Sequence, residues 1–517
     1  MPYSGRFALV FPLLALFGCR SGERPVFELL AADRTGVSFA NTITTSDTLN
    51  VQTDPYIYNG AGVAVGDIDN DGLPDLFFAG NIVSSRLYLN KGDMRFEDVT
   101  ARAGTGTKRW VTGVTMVDID NDGYLDIYAS VSGPAWSAPE SRANLLFVNN
   151  RNRTFTERAA QYGIADHGFT THSVFLDYDG DGCLDLFVLN NSPADFSRSD
   201  LSAVPAGVRI ETPDSHNQLY RNDCSGHFAN VSQQAGILRE TGYGLGVAVA
   251  DVNGDAWPDI YVSNDVVAND VLYINNRNGT FSNRAPQSLK HTSFAGMGVD
   301  IADFNNDGWP DVLQVDMLPR SLERRKRVLG FATPSSVNEL RSRGVRDDYS
   351  ANTLQLSNGV TKDGDVVFSE IGRMAGVSHT DWSWSALFAD FDDDGLKDIF
   401  IGNGYPKAVN DLDYMTTTTT AMRPGLRNAS NRRALDNLQR LPTYETPNYV
   451  FRNAGDLTFA DKSAAWGLSQ VGFSYGAAYA DLNNDGRLDL VVNNMDAPAF
   501  IYENKRRADE AHHWLAV

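Results

Sequence analysis

The sequence predicts an all-β protein, a seven-bladed β-propeller of four-stranded antiparallel blades that is closed by an N-terminal strand. Three observations support this fold class: a decapeptide that recurs seven times, a strand–turn–strand signature after most copies, and chain ends that each hold part of one further blade. Repeats of this kind indicate a closed ring of similar units, because radial repetition protects the edges of the sheets.

The recurring decapeptide is rich in Asp and lies between two strand-like runs. Its copies are DIDNDGLPDL from residue 67, DIDNDGYLDI from 118, DYDGDGCLDL from 177, DVNGDAWPDI from 251, DFNNDGWPDV from 303, DFDDDGLKDI from 390 and DLNNDGRLDL from 481. Small residues precede each copy, as in GAGVAVG, and a β-branched or aromatic run such as LFFAG follows it. The decapeptide is therefore predicted to be the turn between the first two strands of each blade.

A second signature follows each of the first six copies and reads as strand, Asn/Gly turn, strand. Examples are RLYLNKGDMRFEDV after the first copy and VLYINNRNGTFSNR after the fourth. Together the two signatures predict a four-stranded antiparallel meander for each unit. The copies recur at spacings of 51 to 91 residues, so several units must carry long insertions.

The chain ends predict how the ring closes. Residues 25–39, PVFELLAADRTGVSF, read as the last strand of a unit without its first three strands. The seventh copy is followed by AFIYENK and then has no matching last strand. We therefore expect the N-terminal strand to complete the seventh blade, and residues 58–505 to form the propeller.

The decapeptide also has the pattern of a calcium site. Side chains at positions 1, 3, 5 and 9 and the carbonyl of position 7 can converge on one point, and they offer the hard oxygen ligands that suit Ca²⁺. An EF-hand is excluded, because position 12 is Phe78 in the first copy and Ala129 in the second, where an EF-hand has Glu. The alternative is that Asp and Asn are present only because they favour turns.

The residue statistics of the seven copies favour the metal over the turn alone. Of the 28 side-chain positions, 25 are Asp and three are Asn, whereas turn propensity would also admit Ser, Gly and Thr. The predicted ligands are Asp67, Asp69, Asp71, Leu73, Asp75; Asp118, Asp120, Asp122, Tyr124, Asp126; Asp177, Asp179, Asp181, Cys183, Asp185; Asp251, Asn253, Asp255, Trp257, Asp259; Asp303, Asn305, Asp307, Trp309, Asp311; Asp390, Asp392, Asp394, Leu396, Asp398; Asp481, Asn483, Asp485, Arg487 and Asp489. The fourth site is expected to be the weakest, because Ala256 replaces the Gly of position 6.

The charge balance narrows the partners and the role of the metal. With 65 acidic and 44 basic residues the formal charge is −21, which argues against nucleic acid and anionic membranes as partners. Seven Ca²⁺ ions would carry fourteen positive charges and bring −21 to −7. A structural calcium is therefore favoured over a signalling calcium.

The first residues predict export. Arg6 precedes a twelve-residue apolar run, FALVFPLLALFG, which suits a signal peptide over residues 1–18 and is too short to span a bilayer. LFGC resembles a bacterial lipobox, which would make Cys19 the lipidated N-terminus, although Phe17 stands where a small residue is usual and leaves ordinary cleavage open. We expect residues 19–57 to hold a lipid tether and the closing strand. The expected location is the outer membrane or cell surface, or alternatively the periplasm or medium, with membrane contact only through the lipid anchor.

The face opposite the metal turns is predicted to carry the binding surface. Long connections between second and third strands, residues 131–143, 191–216, 316–351 and 403–447, all fall on this face. Eight or nine residues before each decapeptide lies an aromatic residue: Tyr58, Trp110, Phe169, Tyr243, Phe294, Trp382 or Phe473. They are interpreted either as packing between blades or as a platform for a ligand such as a sugar ring, with Trp110 and Trp382 the best candidates and Tyr58 and Tyr243 next.

The cysteines allow one further prediction. Cys183 and Cys224 fall in two turns on one face of the third unit, and an exported protein can join them in a disulfide. The alternative is two free thiols.

The paired signatures resemble the FG-GAP and VCBS repeat proteins, the repeat class of the integrin α-subunit propeller, over about residues 58–505. The lead-in YNGAGVAVGDIDNDGLPDLFFAGN and the terminal HHWLAV more narrowly resemble bacterial relatives of cartilage acidic protein. In those relatives an ASPIC/UnbV domain follows the propeller, so the resemblance implies that residues 506–517 begin such a domain, truncated in this chain.

Two functions of different class follow from these patterns. The first is a calcium-stabilised binding or adhesion module that presents its insertion loops to a glycan or to an envelope or extracellular protein. The alternative is a secreted lyase or hydrolase that acts on polysaccharide at the channel mouth, with His172 or His379 as acid or base. No common hydrolase, zinc-protease or nucleotide-binding motif is present in the sequence, and we therefore predict that the protein is not an enzyme.

Overall fold

Seven four-stranded antiparallel sheets are arranged in a closed ring in the computed structural model of the chain. The structure describes residues 25–51, 53–192, 213–237, 242–265, 268–328, 338, 341–342, 348–362, 364–415 and 438–506. The predicted signal peptide, Cys19 and nearly all of the predicted C-terminal segment lie outside these residues. The predicted fold class is confirmed.

In the first six blades the strands follow each other along the chain from the axis outward. They are β2 (Val63–Gly66), β3 (Asp75–Phe78), β4 (Arg86–Asn90) and β5 (Phe96–Asp98); β6 (Trp110–Val117), β7 (Asp126–Ser132), β8 (Leu145–Asn149) and β9 (Phe155–Glu157); β10 (Thr170–Leu176), β11 (Asp185–Asn190), β12 (Gln218–Asn222) and β13 (Phe228–Asn230); β14 (Gly244–Ala250), β15 (Asp259–Asn264), β16 (Val271–Asn275) and β17 (Phe281–Asn283); β18 (Val299–Ala302), β19 (Asp311–Gln314), β20 (Thr353–Val360) and β21 (Val366–Glu370); β22 (Ser383–Ala389), β23 (Asp398–Asn403), β25 (Tyr449–Asn453) and β26 (Phe459–Asp461). A two-stranded pair, β24 (Thr446–Pro447) with β27 (Val471–Gly472), links the sixth blade to the chain that leads into the seventh.

The seventh blade combines both regions of the chain, as predicted. Its inner strands are β28 (Ser474–Ala480), β29 (Asp489–Asn494) and β30 (Phe500–Asn504), and its outer strand is the N-terminal β1 (Phe27–Leu29). Strand β1 pairs antiparallel with β30, with Phe27 opposite Asn504 and Leu29 opposite Tyr502. The ring is therefore closed by hydrogen bonds between distant parts of the sequence.

The hydrophobic core is divided into seven clusters, and six of them fill the space between two neighbouring blades. The seventh cluster lies between the fifth and sixth blades and also includes residues that precede the first blade or belong to the seventh blade, such as Ile57 and Tyr475. Between the first two blades, for example, Phe77 and Leu87 pack with Ile127. The strands that supply these residues are buried on both faces, which explains their near-continuous apolar runs. No blade buries its apolar surface alone, so the stability of each blade depends on its neighbours.

The helices are short and lie mainly after outer strands. They are α1 (Ala32–Thr35), α2 (Thr100–Ala103), α3 (Ala159–Tyr162), α4 (Ala285–Ser288), α5 (Leu322–Arg327) and α6 (Gly372–Ala375). Among the described residues, no helix is long and apolar enough to cross a membrane.

The alternation of strand direction separates two faces of the ring. The decapeptide turns connect the first and second strands on one face, which we call the metal-loop face. The long connections between second and third strands, residues 133–144, 191–217, 315–352 and 404–448, leave on the opposite face, which we call the insertion face. Parts of these connections lie outside the described residues.

Candidate metal loops and axial cavity

All seven decapeptides fold into the same turn, which is held by bonds from carboxylates to the backbone. In the first loop, Asp67 accepts the N–H groups of Asp71 and Gly72 at 3.2 and 2.7 Å, and Asp71 accepts that of Leu73 at 3.0 Å. The other six loops repeat these three bonds. Turn-forming Asx bonds therefore account for part of the Asp content, as the alternative interpretation requires.

The turn bonds do not use every carboxylate oxygen in the loops. Three carboxylates offer oxygens within 4.8 Å of one another in four loops: Asp67, Asp69 and Asp71; Asp118, Asp120 and Asp122; Asp177, Asp179 and Asp185; Asp390, Asp392 and Asp398. One oxygen, Oδ1, of Asp69, of Asp179 and of Asp392 is buried and accepts no hydrogen bond, although Arg506 Nη1 lies 3.5 Å from that of Asp392. Buried acceptors without donors, among converging carboxylates, fit a hard cation such as Ca²⁺.

The three loops with Asn at position 3 differ from these four. The Asn253 amide donates to Asp255 at 3.0 Å, and the Asn305 amide donates to Asp307 at 2.9 Å. In the seventh loop the Asn483 amide lies 3.4 Å from a Glu503 carboxylate oxygen. The amide of position 3 therefore donates to a loop carboxylate in two of these loops and to a carboxylate outside the loop in the third, which makes all three the weaker candidates for a metal.

The Asp at position 9 has a structural role that the sequence analysis missed. In the first blade Asp75 is 1% exposed and accepts the backbone N–H groups of Ile68 at 3.0 Å and Asn90 at 2.7 Å. Burial, and then neighbouring carboxylates, raise the pKa of this residue to about 7. The pKa of the Asp at position 9 is also raised in the other six blades: to about 7 at Asp126, Asp185, Asp259, Asp311 and Asp489, and to about 8 at Asp398.

The partner of this Asp is an Asn at the end of the third strand, and it links neighbouring blades. The Asn90 side chain donates to Pro74 O at 2.9 Å in its own blade and to Leu482 O at 2.8 Å in the seventh blade. Asn149, Asn275, Asn453 and Asn504 make the equivalent bonds across their blade boundaries. The signal in the sequence was the Asn that ends RLYLN, LLFVN, QLYRN, VLYIN, YVFRN and IYEN.

Arginines that sequence reasoning also missed provide countercharges at six of the loops. The pairs are Arg153 with Asp69 at 2.6 Å, Arg151 with Asp122 at 2.7 Å, Arg221 with Asp179 at 2.5 Å, Arg277 with Asp255 at 2.8 Å, Arg452 with Asp392 at 2.6 Å, and Arg487 with Asp485. Arg153 belongs to the second blade and reaches the loop of the first, so its pair also crosses a blade boundary. Each guanidinium group pairs with Oδ2 of its carboxylate, and Oδ1 of Asp69 and of Asp179 stays unbonded.

The structure joins Cys183 and Cys224 in a disulfide, with their Cα atoms 5.7 Å apart. Cys183 is position 7 of the third loop, which would bind a metal through its carbonyl and not its side chain. The disulfide therefore connects the third metal loop to the turn between the third and fourth strands of the same blade.

A cavity of 520 Å³ lies on the propeller axis and is lined by the innermost strands of the blades. The sequence predicts that aromatic residues eight or nine positions before each decapeptide ring the mouth of this cavity. This prediction is wrong for three of the four residues proposed to bind a ligand. Tyr58, Tyr243 and Trp382 are 6, 4 and 3% exposed and do not line the cavity. They pack in the core, and Trp382 stacks on Tyr405 with ring centroids 3.7 Å apart.

The physical reason for the error is an irregularity in the innermost strands. In four blades the register shifts between the seventh and fifth residues upstream of the decapeptide, and in the seventh blade it shifts between the seventh and fourth. A bulge of this kind turns a side chain toward the other face of its strand. The sixth residue upstream lines the cavity in all seven blades: Ala61, Thr112, Thr171, Leu245, Met297, Trp384 and Tyr475.

Of the predicted aromatic ligand residues, Trp110 does line the cavity, and Trp384 joins it in place of Trp382. The Trp384 indole N–H donates to Gly404 O at 2.8 Å, which fixes its ring against Tyr475 with centroids 4.8 Å apart. The WSW sequence at 382–384 offers two tryptophans, and only the bulge decides which one faces the axis.

The two histidines considered as acid or base lie in different blades. His172 lines the cavity, and burial lowers its pKa to about 4, so its imidazole is neutral at pH 7. His379 shares a hydrogen bond with Ser378 Oγ at 2.7 Å, and burial and Arg325 lower its pKa. Among the residues that the structure describes, neither histidine has a hydrogen bond to a carboxylate that would orient it as an acid or a base.

Comparison with known proteins identifies the repeats. The FG-GAP-like repeat family matches residues 67–129, 200–262, 252–313 and 441–492. The chain is similar to cartilage acidic protein 1 of Mus musculus (24% identical, 66% of this chain and 57% of the relative), of Homo sapiens (24%, 66% and 56%) and of Xenopus tropicalis (24%, 88% and 61%). It thus aligns with little more than half the length of these relatives. None of these relatives is named as an enzyme, in agreement with the prediction that this chain is not one.

Solved structures align over most of the chain at low similarity. Two examples are BBS1N in complex with ARL6DN (TM-score 0.44, 10% identity, 94% of this chain and 99% of that one) and YCF48 bound to D1 peptide (0.44, 5%, 93% and 96%). These likenesses are too distant to support an argument about function.

Proposed function

Because this chain is an FG-GAP-repeat propeller similar to cartilage acidic protein 1, we propose that it is a non-catalytic binding or adhesion module that works outside the cytoplasm. Calcium on the metal-loop face stabilises the ring. The insertion face presents the channel mouth and the long connections to a glycan or to an envelope or extracellular protein.

The observation that carries the proposal is the separation of these two faces. The convergent carboxylates lie on one face, with two buried oxygens, Oδ1 of Asp69 and of Asp179, that lack donors. The long connections between second and third strands lie on the other. A metal that holds the turns of the scaffold thus leaves the opposite face free to vary in sequence, as binding surfaces built on rigid scaffolds do.

The extracytoplasmic location rests on two further features. The N-terminal sequence is predicted to direct export, and the Cys183–Cys224 disulfide is of a kind that persists in oxidising compartments. Fractionation of cells that express the full chain would test this location. Recovery of the protein in the cytoplasm with free thiols would contradict it.

Calcium is tested by thermal unfolding of metal-free protein with and without added Ca²⁺. We expect Ca²⁺ to raise the Tm, because an ion that binds only the folded state stabilises it. Calorimetric titration should find its tightest sites in the four loops with Asp at position 3.

The control is a matched pair of Asp→Asn variants. Asp69→Asn should remove one site and reduce the rise in Tm, because it replaces the unbonded buried oxygen of the first loop with an amide. Asp93→Asn, at an exposed residue outside the decapeptides, should behave as wild type. An equal effect of both variants, or no effect of Ca²⁺ on either the Tm or the titration, would contradict a structural calcium.

Partner binding is tested on the calcium-loaded protein with a glycan array, a panel of extracellular proteins and a turnover screen on the same glycans. We expect binding without release of products. Products that accumulate in proportion to the amount of protein would instead establish an enzyme.

A further inference from the structure

One position of the innermost strands departs from the symmetry of the ring. The fifth residue before the decapeptide is Gly in five blades: Gly62, Gly113, Gly246, Gly298 and Gly476. The exceptions are His172 in the third blade and Ser385 in the sixth, and both line the axial cavity.

Close packing around the axis explains the glycines. A Cβ on Gly246 would lie 2.3 Å from Met297 O, and one on Gly298 would lie 2.2 Å from Trp384 O. His172 has space because the preceding blade also has glycine: a Cβ on Gly113 would lie 2.7 Å from His172 Nδ1. The His172 side chain thus occupies room that the glycine of the second blade leaves for it.

Three polar side chains that line this cavity, those of His172, Asn191 and Ser385, lack hydrogen-bond partners among the described residues, whereas lining residues such as Thr112 and Thr171 have them. No group among the described residues hydrogen-bonds to the His172 ring. Asn191, which follows the second strand of the same blade and also lines the cavity, is 4% exposed, and neither its side-chain N nor its side-chain O has a hydrogen-bond partner. Ser385 Oγ is likewise buried without a partner. Buried donors and acceptors of this kind are usually satisfied by water or by a ligand.

The rest of the lining favours an uncharged ligand with a flat apolar face. Trp110 and Trp384 contribute indole rings to the wall. No Lys or Arg lies among the described lining residues, and Asp54 is present, so an anion would find repulsion and no countercharge. The volume of 520 Å³ falls within the range of small-molecule sites, roughly 300–1,000 Å³.

We propose that the axial cavity binds an uncharged sugar ring, which hydrogen-bonds to His172, Asn191 and Ser385 and packs a C–H face against Trp110 or Trp384. The neutral imidazole and the amide can each donate and accept, which suits vicinal hydroxyl groups. This inference rests on the proposed binding function and gives its ligand a chemical class. It places the sugar at the axis, between the third and sixth blades, and not on the outer insertion loops.

The test is calorimetric titration of the calcium-loaded protein with methyl α-D-glucoside, methyl β-D-galactoside and D-glucuronate. At least one neutral glycoside should bind, and glucuronate should bind at least tenfold more weakly. His172→Gly and Ser385→Gly each install the residue that five other blades carry, and each should weaken the binding about tenfold through one lost hydrogen bond. Asn191→Ala should do the same.

Matched controls separate loss of the site from loss of the fold. Ser288→Ala removes another buried hydroxyl without a partner, outside the cavity lining, and should bind the glycoside as wild type does. Asn410→Ala, at a buried Asn outside the lining, is the control for Asn191→Ala. The Tm of each variant identifies any that does not fold.

The outcomes distinguish this inference from the proposed function. If the glycan array is positive and the cavity variants retain array binding, the partner surface stands and the cavity inference fails. If the glycosides bind and the cavity variants lose them while the array and the protein panel are negative, the cavity stands and the broader partner proposal fails. Preferred binding of glucuronate, or wild-type affinity in all three cavity variants, would overturn the inference.

Discussion

At the scale of single residues, left-handed backbone conformations shape the metal loops. Position 6 has a φ between 83° and 89° in six loops, where it is Gly, and 66° in the fourth loop, where it is Ala256. Position 4 is also left-handed in every loop, and Asn, Asp or Gly occupies it. These are the residues that tolerate this region best, so Ala256 carries strain that the other loops avoid.

Ala256→Gly should therefore stabilise the protein. The left-handed conformation costs an L-residue about 1–2 kcal/mol, which exceeds the roughly 0.4–1 kcal/mol that glycine loses through its freer unfolded chain. Urea unfolding should show a higher midpoint with an unchanged slope. Gly308→Ala is the matched control: a Cβ there meets nothing within 4 Å, so only the backbone is strained, and the midpoint should fall. A lower midpoint for Ala256→Gly would refute the assignment of strain.

His172 should make the stability depend on pH. The ordinary pKa of 6.5 is lowered to about 4 in the fold, so between these values the unfolded chain binds a proton that the folded one does not. Stability is therefore lost as the pH falls from 6.5 to 4, by at most about 3 kcal/mol. Urea unfolding at pH 7, 5.5 and 4.5 should show a smaller loss for His172→Gly than for wild type. Ser385→Gly, which changes the equivalent position without a titrating group, should follow wild type, and identical pH profiles for all three would exclude this role.

At the scale of strands and turns, the boundaries between blades are held by polar bonds as well as apolar packing. An Asn at the end of the third strand bonds the turn of the neighbouring blade, while apolar side chains from both blades fill the space between them. Because the carbonyls that these amides satisfy are buried or nearly so, removing the amide leaves an acceptor unpaired. The same Asn, such as Asn90, therefore holds the decapeptide turn of its own blade and joins that blade to its neighbour.

Asn149→Ala should destabilise the boundary between the first and second blades. Its amide donates to Ile68 O at 2.8 Å and to Leu125 O at 3.0 Å, and unpaired buried acceptors cost about 1–3 kcal/mol. Asn150→Ala, at the next residue, loses two exposed bonds, one to Thr154 Oγ1 and one from Thr156 Oγ1, and should change stability by less than about 0.5 kcal/mol. Equal stabilities for the two variants, measured by urea unfolding, would show that the bonds across the boundary contribute little.

At the scale of the whole molecule, the ring depends on one short strand from the other end of the chain. Strand β1 supplies Phe27 to the cluster between the sixth and seventh blades, and the residues after it supply Leu30, Val37 and Phe39 to the cluster between the seventh and the first. Phe27 is 2% exposed and contacts Phe391 edge-on, with centroids 5.5 Å apart. A single segment therefore stabilises both boundaries of the closing blade.

Deleting residues 26 to 40 should lower the Tm and expose the edge of β30 to self-association. A synthetic peptide of the same residues, added in trans, should restore part of the Tm. Glu28→Ala is the control within the strand, because this exposed side chain lies outside both clusters and should leave the Tm nearly unchanged. A truncated protein that unfolds at the wild-type temperature and remains monomeric in light scattering would show that closure by β1 is dispensable.

The sequence determined what is repeated in this protein. Seven copies of one decapeptide, each in the same position between strand signals, predicted the number of blades, the strand order, the closing strand and the faces on which the turns and insertions lie. Such predictions are dependable because every copy forms the same turn between the same two strands of its blade. The candidate calcium ligands were found for the same reason.

The tertiary structure decided what depends on neighbouring blades. The bulge that turns Trp384 toward the axis and leaves Trp382 in the core is a matter of register between strands, which residue spacing does not reveal. The first and fourth loops have similar sequences but differ in the structure. Asp69 keeps an oxygen without a hydrogen bond, whereas the side-chain amide of Asn253 donates a hydrogen bond to Asp255. His172 has room in the cavity because the blade before it has glycine at the equivalent position, and burial there lowers the pKa of its ring, so packing around a common axis makes each inner residue depend on its neighbour.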